Sequence, residues 1–198
     1  ASAASVFALI PDALRAQTGG AGAGANTATN PADAQLNSLF DKVFAQTLQR
    51  SPELATSLGM DKGANAALKH RLTDQSAAGK ASARAELKQA IAAIRAVDPA
   101  PLSTRSKLDR EVILYSLESR AIPYDRFKLD GVQRPFTIFQ QGGSYFSTPD
   151  FLNSSHTINN AADCEAYLDR LGAFAKRLDQ DTANQKEEAS RGYLCLLY

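Results

Sequence analysis

The sequence predicts an all-α fold with one long, ordered, aromatic-rich loop. Three observations carry this: the chain is rich in Ala, runs of β-branched residues are scarce, and apolar residues recur at intervals of three and four over long stretches. With 198 residues, 44% of them hydrophobic, the chain is long enough to bury a core and is not a disordered tail. Lys and Arg number 22 against 21 Asp and Glu, so no net field steers it to nucleic acid or to an anionic membrane.

Ala1 to Ala16 is an apolar, small-residue stretch too short to span a bilayer, and it reads as the remnant of an export signal. The alternative is an N-terminal helix packed on the domain. Residues 17–30 contain GGAGAGANTATN and form a flexible linker by composition. The Gly20-Ala21-Gly22-Ala23-Gly24 run lacks a preceding strand and the G-x-G-x-x-G spacing, which excludes a phosphate-cradling loop.

The helical domain is expected over residues 31–192. Asn30 is placed to cap its first helix, Pro31 suits the first turn, and Leu36, Leu39, Phe40, Val43, Phe44 and Leu48 line one face. Ser51-Pro52-Glu53 opens a short helix that Gly59 ends, and Ala64 to Leu72 has helical character. A long helix runs from Asp74 or Ser76 to about Val97, with Leu87, Ile91 and Ile94 inward, until Asp98-Pro99-Ala100-Pro101 stops it.

The next helix is capped by Ser103. It carries Leu108, Val112, Ile113, Leu114, Tyr115 and Leu117 on more than one face, which predicts the most buried helix of the chain. Between Ile122 and Asn159 the period is lost while aromatic residues accumulate. The prediction there is an ordered excursion with one short strand at Pro135 to Gln140. A last helix from about Asn160 to Ser190 has Tyr167, Leu168, Leu171, Phe174, Ala175 and Leu178 as its apolar stripe. Its end, Asp179 to Glu188, is polar all round and is read as lying in solvent or packing against something absent from this chain.

Chemical motifs are sparse. Cys164 and Cys195 lack metal-ligand spacing, and nothing requires them to pair. Gly142-Gly143-Ser144-Tyr145-Phe146 begins like a G-x-S-x-G nucleophile elbow but has Phe146 in place of the last Gly; the double Gly is better explained by a turn with positive φ or a close backbone contact. His70 lies near a helix end, where a cation is favourable. Asn153-Ser154-Ser155 is a glycosylation sequon that matters only in a eukaryotic secretory route.

Residues Phe136 to Asp181 carry a recognisable order: Gln140-Gln141-Gly142-Gly143-Ser144-Tyr145-Phe146, then Pro149-Asp150-Phe151-Leu152, His156, and Asp163 through Tyr167-Leu168 to Arg170-Leu171. With Leu36 to Phe44, Ser51 to Gly59 and Ala64 to Ser76 upstream, this resembles the bacterial domain-of-unknown-function family 885 over roughly Ala32 to Gly192. The resemblance implies a helical N-terminal region of a larger, mostly helical protein similar to gluzincin-type zinc metallopeptidases, often exported by the twin-arginine route.

The chemistry so implied needs two His ligands on one helix face, a carboxylate ligand and a Glu that activates water. This chain has only His70 and His156, in no H-E-x-x-H pattern, so no catalytic residue and no metal ligand are assigned and zinc is implied only for a full-length relative. Tyr145 and His156 are the candidate substrate contacts; for His156 the competing reading is a structural role bridging backbone in the long loop. Residues 193–198 depart from the family pattern and are read as an atypical terminus.

Two functions compete. One is the non-catalytic N-terminal scaffold of an exported, periplasmic, metallopeptidase-like hydrolase, with the C-terminal part of the parent protein and a peptide substrate as partners. The other is a stand-alone helical periplasmic binding or interaction domain with the aromatic loop as its contact surface. No nucleic acid and no membrane span are expected in either. Deleting Ala1 to Thr29 is expected to leave the melting temperature of the chain unchanged; a fall of several degrees would replace the leader by a docked helix.

Overall fold

A computed structural model describes residues 30–195; the predicted leader, most of the linker and the last three residues lie outside them. The described residues form six α-helices and one 3₁₀ helix, with no strand among them: α1 (Pro31–Arg50), α2 (Pro52–Ser57), the 3₁₀ helix (Gly63–His70), α3 (Ala77–Arg95), α4 (Thr104–Phe127), α5 (Ser144–Ser154) and α6 (Ala161–Ser190). None is long and apolar enough to cross a membrane.

The chain divides into two compact units, the first made of residues up to 46 and of 84–125, the second of 47–83 and 126 onward. The first has an ordinary apolar core. Leu36, Val43, Phe44, Ala90, Ile91, Ile94, Leu102, Ile113 and Leu117 are buried there, and Ser106 is the one buried polar residue of that unit among the described residues. Polar ends are closed locally: the Asn30 side chain accepts the Ala32 N–H and donates to the Pro101 carbonyl at 2.7 Å. Ser103 caps α4 by accepting the Ser106 N–H, while Asp33 accepts the Ser103 N–H. That bond holds the Asp33 carboxyl below its usual range.

Helix α4 departs from expectation in two ways. It does not stop at Ile122 but runs over Pro123 to Phe127. A proline near a helix end removes one hydrogen bond, and tertiary contacts hold the last turn: the Arg84 guanidinium stacks 3.5 Å above the Tyr124 ring and Lys88 pairs with Asp125. Nor is α4 the most buried helix. It buries Ser106, Ile113 and Leu117, while Leu108, Val112, Tyr115 and Ile122 form an exposed apolar row at helical spacing, with Tyr115 75% exposed.

The second unit is built differently. Its buried apolar residues are few, Leu48, Ala55, Leu68, Leu152 and Ala166 with Pro52, against eight buried polar ones: Asp61, Ser144, Thr148, His156, Asp163, Arg170, Asp181 and Asn184. The 3₁₀ helix packs on α2 and on α6, and α5 packs on α6. The expected forty-residue loop is broken by α5, a helix hidden from the periodicity by its short length and by Pro149 inside it. The expected strand at Pro135 to Gln140 reduces to a single bridge between Phe139 and Gly142.

The aromatic segment packs only in part. Phe136, Phe139 and Phe151 are half-buried, with Phe136 and Phe139 edge to face at 5.9 Å, whereas Tyr145 and Phe146 are exposed. Phe139→Ala is accordingly expected to cost about 2 kcal/mol, below the usual cost for a fully buried Phe, and Phe146→Ala within about 0.5 kcal/mol. Equal losses at the two positions in urea unfolding would contradict this packing.

Candidate functional site

The largest concentration of buried ionisable groups lies along α6, in the second unit. The stripe expected to face the core does so only in part: Tyr167, Phe174 and Leu178 are half-buried, but Leu168 is 59% and Leu171 47% exposed. The buried face instead carries Asp163, Ala166, Arg170, Asp181 and Asn184. The elements packed against it are short and irregular, so they present backbone groups that no helix ladder satisfies, and polar side chains are needed to meet them.

Arg170 is at the centre and fully buried. Its Nε donates to the Arg71 carbonyl at 2.9 Å. One terminal nitrogen donates to His156 Nδ1 at 2.8 Å; the other donates to Thr56 Oγ1 at 2.7 Å and the Leu68 carbonyl at 3.1 Å, with a longer contact to the Pro52 carbonyl. The carbonyls of Leu68 and Arg71 close the C-terminal end of the 3₁₀ helix, where a cation is favourable. The Phe151 ring covers the guanidinium at 4.9 Å. Burial lowers the Arg170 pKa, and the charges of Glu53 and Asp61 partly offset this.

His156, 5% exposed, is held at both ring nitrogens. Its Nε2 lies 3.0 Å from the Asp163 carbonyl, which can only accept, and its Nδ1 faces the guanidinium, which can only donate. The ring is therefore neutral with its proton on Nε2. Burial is the main cause that pushes its pKa below the ordinary value, against a raising effect of the Asp163 carbonyl. Tyr167 packs edge to face on it at 5.4 Å.

Asp163 sits in the first turn of α6. Its backbone N–H is capped by the Asn160 side chain, and its carboxylate accepts from Lys69 Nζ and from the Asn159 N–H. The Lys69 bond foremost, then the Asn159 N–H, hold its carboxyl below the usual range.

The rest of α6 works in the same way. Arg177 donates to the Thr73 carbonyl and to Glu53, whose carboxylate accepts the Thr73 N–H and hydroxyl. Asn184 donates to the Gln75 carbonyl. Asp181 accepts the Ser144 N–H at the start of α5, Gln185 accepts the Ile138 N–H, and Glu188 accepts the Thr137 N–H and hydroxyl. The reading of Asp179 to Glu188 as lying in solvent or against something absent from this chain is thus corrected: Asp179 and Glu187 are exposed, but Asp181 is buried and Glu188 half-buried against the chain's own aromatic segment, which needs acceptors for its N–H groups. Glycine serves this approach twice. A Cβ on Gly142 would lie 2.0 Å from the Phe139 ring, and Gly143 has φ +105° beside Asp181.

Of the two candidate contact residues, Tyr145 is 44% exposed and its hydroxyl donates toward the Phe139 and Gln140 carbonyls, each at 2.7 Å. His156 points inward with both nitrogens engaged. His70 lies at the surface, its Nδ1 2.7 Å from Asp169 Oδ2. Cys164 is exposed, Cys195 intermediate, and they are not bonded to each other. A shallow groove of about 290 Å³ runs between Ser76 and Ala77 on one side and Lys176, Asp179, Gln180 and Glu187 on the other. Among the described residues no three His, Cys, Asp or Glu side chains come together as metal ligands. With His156 occupied and His70 at the surface, the donors present do not fit a gluzincin-type zinc ion.

The chain is thus helical, and its second unit is organised around buried, hydrogen-bonded charges. The family model described as a bacterial protein of unknown function (DUF885) matches residues 52–196, and the chain belongs to that family. The matched span begins twenty residues after the Ala32 read from the sequence (52 − 32) and reaches into the terminal segment. No curated protein and no solved structure matches the chain.

The polar row on α6 had a signal in the sequence: Asp163, Arg170, Arg177 and Asn184 recur every seven residues. Arg170→Ala is expected to destabilise the chain by more than about 4 kcal/mol, since it leaves several buried acceptors without donors. Arg170→Lys should recover less than half of that, lacking the planar fork. A loss under about 1 kcal/mol for the alanine variant in urea unfolding would show that water replaces the guanidinium.

Proposed function

We propose that this chain is the N-terminal scaffold of an exported, metallopeptidase-like hydrolase, without a catalytic group of its own. The observation that carries the reading is the employment of four of the buried ionisable groups: Arg170, His156, Asp163 and Asp181 all engage backbone or one another, whereas Asp61 Oδ2 has no hydrogen-bond partner among the described residues. Groups committed in this way hold irregular segments in place and are poorly disposed to exchange protons with a substrate. The family resemblance supplies the hydrolase class, a peptide as the substrate and zinc held by residues of the full-length relative. Tyr145, exposed on the segment that α6 anchors, is the residue best placed for a substrate contact.

A second reading, a helical binding or interaction domain, is favoured by the exposed row Leu108, Val112, Tyr115 and Ile122 in the first unit. Metal content separates the two when a longer native protein is purified, because only the scaffold reading expects zinc to copurify with it. For the 198-residue chain itself, dialysis against zinc followed by mass spectrometry is expected to find no stoichiometric metal, and a mixed peptide library is expected to remain intact. Stoichiometric zinc with a sub-micromolar Kd, or peptide cleavage abolished by His156→Ala, would overturn the scaffold reading.

A further inference from the structure

We propose that His156 is an acid-sensitive latch: as a neutral ring it ties the segment between α5 and α6 to Arg170, and a second ring proton releases that segment. The geometry leaves the added proton one place to go. Nε2 already carries a proton for the Asp163 carbonyl, so protonation occurs at Nδ1, the atom that accepts from Arg170 at 2.8 Å. Two N–H groups on two cations would then face each other in a site closed to water.

The groups around the ring do not compensate. From α6 they are Arg170, the Asp163 carboxylate and the Tyr167 ring; from the 3₁₀ helix, Lys69; from α5, the uncharged Phe151, whose carbonyl accepts the His156 N–H. The Asp163 carboxylate is shared between Lys69 and the Asn159 N–H, and Glu53 of α2, like Asp61, acts on Arg170. Two nearby cations oppose the proton and one already-paired carboxylate favours it.

The sign of the response follows from linkage. The folded ring has its pKa pushed below the ordinary 6.5, whereas a ring freed by local opening has that ordinary value. Above 6.5 both states are neutral and the latch is fully held. Below it the open state binds the proton that the closed state refuses, so opening is favoured by up to about tenfold per pH unit until the depressed pKa of the closed state is reached. What opens first is the Ser155–Asn160 segment with the C-terminal turn of α5, which His156 joins to the Phe151 carbonyl.

The test uses the full chain, which has only two histidines. Hydrogen exchange followed between pH 7.5 and 5, corrected for intrinsic rates, is expected to show protection falling at residues 152–160. His156→Gln, which keeps a donor and an acceptor but does not titrate, should abolish the pH dependence; His70→Gln should leave it unchanged. Nitrogen NMR of the unaltered protein provides a reading that holds even if His156→Gln fails to fold. It should show the His156 proton on Nε2 at pH 7.5 and a ring that titrates below the ordinary 6.5. Protection that stays constant to pH 5, a response abolished by His70→Gln, or a His156 ring protonated on Nδ1 at pH 7.5 would each overturn the latch.

Discussion

The second unit depends on the placement of one fully buried guanidinium. Among the described residues Arg170 has no carboxylate in direct contact; its charge is met by carbonyl dipoles, a hydroxyl, an imidazole and an aromatic face. Burying such a charge is costly unless its donors are used, and the fork geometry allows them to be used toward several segments at once. The side chain thereby joins α2, the 3₁₀ helix, the segment after it and the start of the loop before α6. Lysine has the charge but not the planar spread of donors, so it could not meet these acceptors together.

The same solution recurs in milder form. Arg110 donates to the carbonyls of Ile94 and Arg95 at the end of α3, and Arg191 to the carbonyl of Lys128 just after α4. Carboxylates act in the opposite sense, with Asp33 taking the Ser103 N–H, Asp163 the Asn159 N–H and Asp181 the Ser144 N–H. Cations at chain segments that end in free carbonyls, and anions at segments that begin with free N–H groups, follow the dipole of the backbone itself. In the first unit this is an addition to an apolar core; in the second it largely stands in for one.

This division bears on function. Membership of the DUF885 family assigns no chemistry, and charged residues that would attract attention as acid–base pairs, above all Asp181 and Glu188, are occupied in holding the segment from Thr137 to Ser144. Among the exposed large apolar residues are Tyr145 and Phe146, on the segment that this anchoring displays, and the apolar row of α4 in the first unit.

Much of the helical plan was legible in the sequence, because caps and breakers act locally: Asn30, Ser103, Asn160, Gly59 and the Asp98–Pro101 run all stand where the elements begin or end. The double glycine was legible for the same reason, since Gly142 and Gly143 meet steric demands within a few residues. Tertiary structure decided what local rules could not. It carried α4 over Pro123 through contacts of Tyr124 and Asp125 with α3, formed α5 despite Pro149, and turned α6 so that Leu168 and Leu171 face out and Arg170 faces in. Hydrophobic periodicity presumes that a helix packs on apolar neighbours. Here the neighbours of α6 are irregular segments whose unsatisfied backbone groups demand polar partners, and only the folded chain reveals that demand.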